Sequence, residues 1–201
     1  MRELFLRWNP STTMKCAIFE ENGNRHDMQR VLGHVTLQNA VRRMGDFVLT
    51  SCAANALQPY RQNDNGWDQG QVFFTPSQVW GMPPYYAQQM AAAHHRPLTV
   101  GCGVEGADGV LDVTATRSRE AGSVVLHIAN TGAEPLRVGL RVDGMGKVSQ
   151  ARMVSLSGDL DAVNTPEEPR RIAPVGRELP AWAAQTVDIA PYSYTIVVLD
   201  E

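Results

Sequence analysis

A change of periodicity near residue 96 constrains the fold of this chain more than any other feature of the sequence. Beyond it, short apolar runs at residues 111–116, 123–129, 136–142, 148–156, 186–189 and 194–199 follow one another with no helical stretch between them. Leu136, Val138, Leu140 and Val142 place an apolar side chain at every second position, the pattern of a half-buried strand. Thr131-Gly132 and Asp143-Gly144 supply turns. Strands in series joined by turns predict an antiparallel, jelly-roll-like β-sandwich over residues 97–201.

Residues 1–96 have a different texture. A β-compatible run at 14–19 ends in Glu20-Glu21, and the polar loop Asn22 to Asp27 follows. Asp27 suits an N-cap, since its carboxylate can accept from the first free amides of a helix. Met28, Val31, Leu32, Val35, Ala40 and Val41 then approximate a helical stripe, which Met44 and Gly45 close. Residues 47–50 form a second apolar strand. Strand, loop, helix and strand at this spacing make one unit of a parallel sheet. A further helix is predicted after Pro83-Pro84, led by Tyr85, Tyr86, Gln89 and Met90. The fold class is therefore α/β up to residue 96 and all-β from residue 97.

Charge and cysteine content narrow the function. The formal net charge is −3, and the 18 basic residues are scattered, whereas nucleic acid or an anionic membrane needs a concentrated basic face. No apolar run approaches the roughly 20 residues of a membrane span. Glu3 and Arg7 interrupt the first apolar residues, against a signal peptide, and the compartment stays open. Cys16, Cys52 and Cys102 are odd in number and lack a CxxC spacing, so free, buried thiols and no zinc site are expected. No cofactor is implied.

The most informative chemistry is the carboxylate pair Glu20-Glu21 at the end of a parallel strand, where barrel and doubly wound enzymes place their reactive groups. Adjacent strand residues point to opposite faces, so one of the two aims at a central pocket, and parity does not choose between them. Other candidates are weaker. His26 and His34 would lie roughly 12 Å apart along a helix, too far to share a metal. His94-His95 suits a helix C-terminus. The loop Asn63 to Asp68 has a calcium-like composition without EF-hand spacing. Gly101-Cys102-Gly103 does not open a helix, and Arg170-Arg171 reads as a solvated pair.

Taken in order, several segments resemble the family 51 glycoside hydrolases, the α-L-arabinofuranosidases. Ala17-Ile18-Phe19-Glu20-Glu21-Asn22 is similar to the segment carrying the family's nucleophilic glutamate at the end of the seventh barrel strand. Residues 37–45 resemble the helix that follows it, and the run Gly81 to Gln89 resembles the family's Pro-Tyr-Tyr helix after the eighth strand. Ser155 to Leu160 and then Ala162 to Pro166, with its Asn-Thr pair, resemble a late loop of the family's sandwich. Ile189 to Ser193 is shared more widely among glycosidase sandwiches. The resemblance covers nearly the whole chain after residue 14.

The resemblance implies that residues 1–96 are the C-terminal strands and helices of a (β/α)8 TIM barrel and that residues 97–201 are its β-sandwich. It implies a retaining hydrolase that removes terminal non-reducing α-L-arabinofuranosyl residues from oligo- or polysaccharides. The family's order places the nucleophile at Glu21, with Glu20 as the fallback. Asn55 and Gln58, after the eighth-strand candidate, are implied as ligands of the sugar hydroxyls, and Trp67 as a pocket wall. The family's acid/base glutamate follows an asparagine, and no Asn-Glu pair occurs in the sequence. A barrel takes roughly 250 residues. The chain is therefore expected to be a fragment or remnant without appreciable hydrolase activity alone. Self-association is implied by resemblance only. The competing readings are a non-catalytic carbohydrate-binding or assembly sandwich, which needs exposed aromatics, and other two-glutamate glycosidases such as β-xylosidases or endoglucanases.

Overall fold

The computed structural model describes residues 2–62, 68–107, 109–120, 122–180 and 185–201. In chain order its elements are α1 (Arg2–Trp8), β1 (Cys16–Glu21), α2 (Met28–Arg43), β2 (Val48–Ala53), β3 (Leu57–Pro59), β4 (Val72–Phe74), β5 (Val79–Gly81), α3 (Pro83–Ala93), β6 (Leu98–Val100), β7 (Leu111–Arg117), β8 (Ser123–Asn130), β9 (Leu136–Gly139), β10 (Gln150–Ser157), β11 (Val175–Leu179), β12 (Thr186–Ile189) and β13 (Ser193–Asp200).

The longest apolar runs became the centre of a six-stranded sheet in the order β11-β10-β13-β8-β7-β6, antiparallel at every junction. Seven residues in a row on β13, Ser193 to Leu199, are buried. A strand reads that way when both faces of its sheet are covered. Tyr194, Ile196 and Val198 point into one core, shared with Val125 and Ala129 of β8 and Leu156 of β10. Val197 and Leu199 point into the other, with Leu126, Ile128, Ala151 and Met153. Each wholly buried aliphatic side chain contributes about 1.5–3 kcal/mol.

The second core is closed by the two-stranded sheet β12-β9, through Val187, Ile189, Leu136 and Val138. That is the sandwich. The first core is closed by helices instead. Met28, Val31 and Val35 of α2 and Tyr86, Ala87 and Met90 of α3 pack on the sheet's opposite face. Buried Asn39 adds a polar tie: its Oδ1 accepts from Thr114 Oγ1 at 2.7 Å, and its Nδ2 donates to the Asp112 carbonyl at 3.1 Å. Arg43 pairs with the Asp112 carboxylate beside it. The helices thus pack directly on the sandwich's main sheet, on the face opposite its second layer.

The loop after β10 laces these layers together. Asn164, 2 % exposed, accepts from the Ile172 amide at 2.7 Å and donates to the carbonyls of Ile172 at 2.9 Å and Gly81 at 2.8 Å. The Gln29 amide donates to the Leu160 carbonyl at 2.9 Å, which binds the same loop to the start of α2.

The remaining strands are short. β1 and β2 form a two-stranded parallel sheet, and β3, β4 and β5 a small mixed one. The outer face of the β1-β2 pair is bare: Phe19 is 79% exposed and Leu49 69%. The expectation of buried thiols is also corrected: Cys52, on β2, and Cys102, in the loop after β6, are exposed and Cys16 is half-buried, all three free. The strand expected at 136–142 ends at Gly139, although the Leu140 amide still reaches the Gln185 carbonyl at 2.8 Å. Helix α1 and strands β3 to β6 and β11 carry no periodic signal and were not anticipated.

Candidate active site

Glu20 and Glu21 end β1, and the register with β2 slips between Ile18 and Glu21. The slip decides what alternation left open. Glu20 is exposed and accepts from the Asn22 side-chain amide at 3.1 Å. Glu21 is 7% exposed and turns toward α2 and β2. Its Oε2 accepts from Ser51 Oγ at 2.9 Å, and its Oε1 meets Nδ1 of His34. The Ala54 amide donates to the Glu21 carbonyl at 3.1 Å, so the ends of the two parallel strands are locked side by side.

Behind the carboxylate stands Arg30, one turn before His34 on α2. Its Nε donates to His34 Nε2 at 2.6 Å. Its remaining donors reach four backbone carbonyls: Gly23, Arg25 at 2.9 Å, Gln69 at 2.7 Å and Ala54 at 2.5 Å. One guanidinium therefore gathers the loops after β1, after β2 and before β4. Asp27 starts the helix as predicted, accepting from the Arg30 amide at 3.1 Å while binding the Arg25 side chain.

Burial by itself raises the Glu21 carboxyl. The hydrogen bonds from His34 and Ser51 and the charge of Arg30 act the other way, and the net result lies below the ordinary carboxylate value. Glu21 is thus an ionised carboxylate with both oxygens held.

Beside it lies a second polar cluster. Gln69 accepts from the Gly23 amide at 3.1 Å and donates to Asn22 Oδ1 at 2.9 Å. Gln58, 3 % exposed, accepts from the Gly70 amide at 2.8 Å and donates to Asp68 at 2.9 Å. Gly70 lies so close under Gln58 that a Cβ there would stand 2.5 Å from the Gln58 Cβ. Asp68 in turn faces His26 at 3.1 Å. Gln58 is committed to these loop contacts. Asn55 donates to the Leu57 carbonyl at 3.0 Å, and its buried Oδ1 has no partner among the described residues. Trp67, with the rest of 63–67 in the calcium-like loop, lies outside the described residues.

Among the described residues, no group of three or more His, Cys, Asp and Glu side chains stands close enough to hold a metal ion. His94 caps α3, its Nδ1 facing the Met90 carbonyl at 2.9 Å, and Arg170 and Arg171 are exposed. The sequence missed Arg30, His34 and Ser51 as partners of Glu21. A signal existed in the first two, an i, i+4 polar pair beside the apolar stripe of α2. Ser51 had none, because only strand pairing brings it across.

The family profile described as the α-L-arabinofuranosidase C-terminal domain matches residues 10–193. No curated protein matches in sequence. The fold is similar to that of the thermostable family 51 α-L-arabinofuranosidase from Thermotoga petrophila RKU-1, with TM-score 0.78, 18% identity, 92% of this chain covered and 43% of that one. It is similar to the arabinose complex of the α-L-arabinofuranosidase from Thermotoga maritima, with TM-score 0.71, 17% identity and coverage of 92% and 41%. The family 51 arabinofuranosidase from Xanthomonas axonopodis pv. citri matches with TM-score 0.72, 13% identity and coverage of 99% and 44%. The chain thus spans less than half the length of each of these proteins.

Proposed function

The chain belongs to the α-L-arabinofuranosidase C-terminal domain family, and from that premise we propose that it forms part of a retaining glycosidase with Glu21 as nucleophile. The observation that carries this reading is the Glu21 carboxylate itself, at the C-terminal end of a parallel strand and held ionised. In the first step Glu21 forms a bond to the anomeric carbon as the glycosidic bond breaks, and a second carboxylic acid gives its proton to the departing oxygen. In the second step that group removes a proton from water, which displaces the sugar from Glu21. The substrate class is a terminal non-reducing α-L-arabinofuranosyl unit on an oligo- or polysaccharide. Asn55, whose buried Oδ1 has no partner among the described residues, is our candidate to accept from a sugar hydroxyl.

The acid/base comes from polypeptide outside these residues. The bare face of β1 and β2, and outer edges that are unpaired among the described residues, support their being the last two strands of an eight-stranded barrel. Alone, the chain has no appreciable hydrolase activity; turnover of an aryl arabinofuranoside by the purified 201-residue protein would overturn that statement.

Glu20 keeps a claim through its exposure, since a nucleophile must meet the sugar. An immunoblot of the source cells against the sandwich comes first. A band on the order of 50 kDa or more fits a whole barrel plus sandwich. Glu21→Gln in that longer protein then lowers kcat by about 10^4-fold, and Glu20→Gln by far less. The reverse order would move the nucleophile to Glu20. A band at the mass of the 201-residue chain alone would replace the enzyme reading with a non-catalytic one. A carbohydrate-binding sandwich has less support: Tyr194 is wholly buried and Tyr192 half-buried, and Trp182 lies outside the described residues.

A further inference from the structure

We propose that His34 is the positioning residue of Glu21: it aims a single N–H at one carboxylate oxygen, and Arg30 fixes the imidazole tautomer that does so. The proposal rests on Glu21 as the nucleophile, and its first test does not depend on turnover.

Arg30 Nε lies 2.6 Å from His34 Nε2, and a guanidinium has donors and no acceptor. Nε2 must therefore be the bare nitrogen, and Nδ1 carries the proton. Nδ1 faces Glu21 Oε1. Arg30 cannot swing away, because its other nitrogens are committed to the carbonyls of Gly23, Arg25, Gln69 and Ala54. His34 is 3% exposed, so both nitrogens are shielded from bulk solvent. With Ser51 on Oε2, both oxygens of Glu21 are held and the carboxyl has one orientation.

The charged groups around Glu21 are few. Arg30 faces it from α2 beside the neutral His34, and β2 brings the uncharged Ser51. Asp27 is taken up by Arg25, and Asp68 accepts from Gln58 and faces His26. Glu20, on the same strand, is exposed and bound by Asn22. A nucleophile must be deprotonated and in line when the sugar arrives. His34 serves both needs without touching the sugar.

The test is a carbon-13 titration of the Glu21 side-chain carboxyl in the 201-residue chain. His34→Ala is expected to raise the midpoint by about one unit or more, because a buried oxygen loses its donor. His34→Asn, whose amide N–H takes roughly the place of Nδ1–H, is expected to bring it back toward the unsubstituted value. A midpoint unchanged in His34→Ala with normal thermal unfolding would overturn the proposal, as would a rise that asparagine does not reverse. Should the alanine variant fail to fold, nitrogen-15 spectra of the unsubstituted protein decide the matter. A proton on Nδ1 supports the assignment, and a proton on Nε2 overturns it. A nucleophile found at Glu20 would remove the catalytic reading and leave this titration intact, whereas a flat titration would remove His34 and leave Glu21 in place.

Discussion

The two parallel strands β1 and β2 and the six-stranded sheet lie on either side of α2, and they are stabilised in opposite ways. The sheet is buried on both faces, by β9 and β12 on one side and by α2 and α3 on the other. Its four central strands run to seven or eight residues, and β8 and β13 are buried at most positions. The parallel pair has one bare face, and its upper end is organised by polar contacts: Glu21, His34, Ser51 and Arg30. Apolar burial is tolerant of detail and summed over many contacts. A buried polar cluster depends on every partner being present. The first region can therefore act as a scaffold, and the second as a site that asks for more polypeptide around it.

The sharpest way to break this contrast is to damage each region and compare. Ile196→Ala on β13, in the core shared by sheet and helices, is expected to cost about 2–5 kcal/mol in urea unfolding. A loss under about 1 kcal/mol would mean that helices and sheet do not share that core. Arg30→Ala should cost about 3 kcal/mol, since it strands four carbonyls and His34. Hydrogen exchange should locate the loss in residues 20–25, 54–55 and 69, with the amides of β8 and β13 still protected. Uniform deprotection would show that the two regions unfold as one.

A pH scan separates them by a different property. His127, on the helix-facing side of β8, lies with Nδ1 2.8 Å from the Tyr194 hydroxyl and with Nε2 unpartnered among the described residues. Burial, then the charges of Arg42, His94 and His95, lower its value from 6.5 to about 2. Between those limits the unfolded chain binds a proton that the folded chain does not. Stability is therefore complete above 6.5 and falls as the pH drops below it, by about 1.4 kcal/mol per unit. His127→Gln should flatten that slope, and an unchanged slope would place the titration elsewhere.

Smaller effects sharpen the comparison at its edges. Asp27→Ala removes the α2 N-cap and should cost about 1 kcal/mol. Phe19→Ala on the bare face should change the stability of this chain by less than about 0.5 kcal/mol. In a longer protein that covers β1 with further strands, the same substitution should cost several times as much. Equal effects in both settings would mean that the face stays bare.

Legibility followed range. The N-cap at Asp27, the stripe on α2 and the start of α3 near Pro83-Pro84 were readable because each is written within a few residues. The strands β7, β8, β10 and β13 were readable as apolar runs. The short strands β3 to β6 were not, because three residues carry no period. At the site, the carboxylate pair was visible and its local chemistry was not. Gln58 entered as a sugar ligand on resemblance, and its side chain is engaged by Gly70 and Asp68.

The sequence by itself determined the order of the longer elements, the change from helices and strands to strands alone, and the carboxylates at the end of β1, since all of these depend on neighbours along the chain. Only the tertiary structure decided that α2 and α3 form the second cover of the sheet, because a two-sided strand does not say what lies on either side. It alone decided that Glu21 turns inward and Glu20 outward, through a register slip that alternation cannot foresee. It also decided that Glu21 has His34 and Ser51 for partners, 13 and 30 residues away. Hydrogen bonds over such separations are fixed by packing, and packing belongs to the whole chain at once.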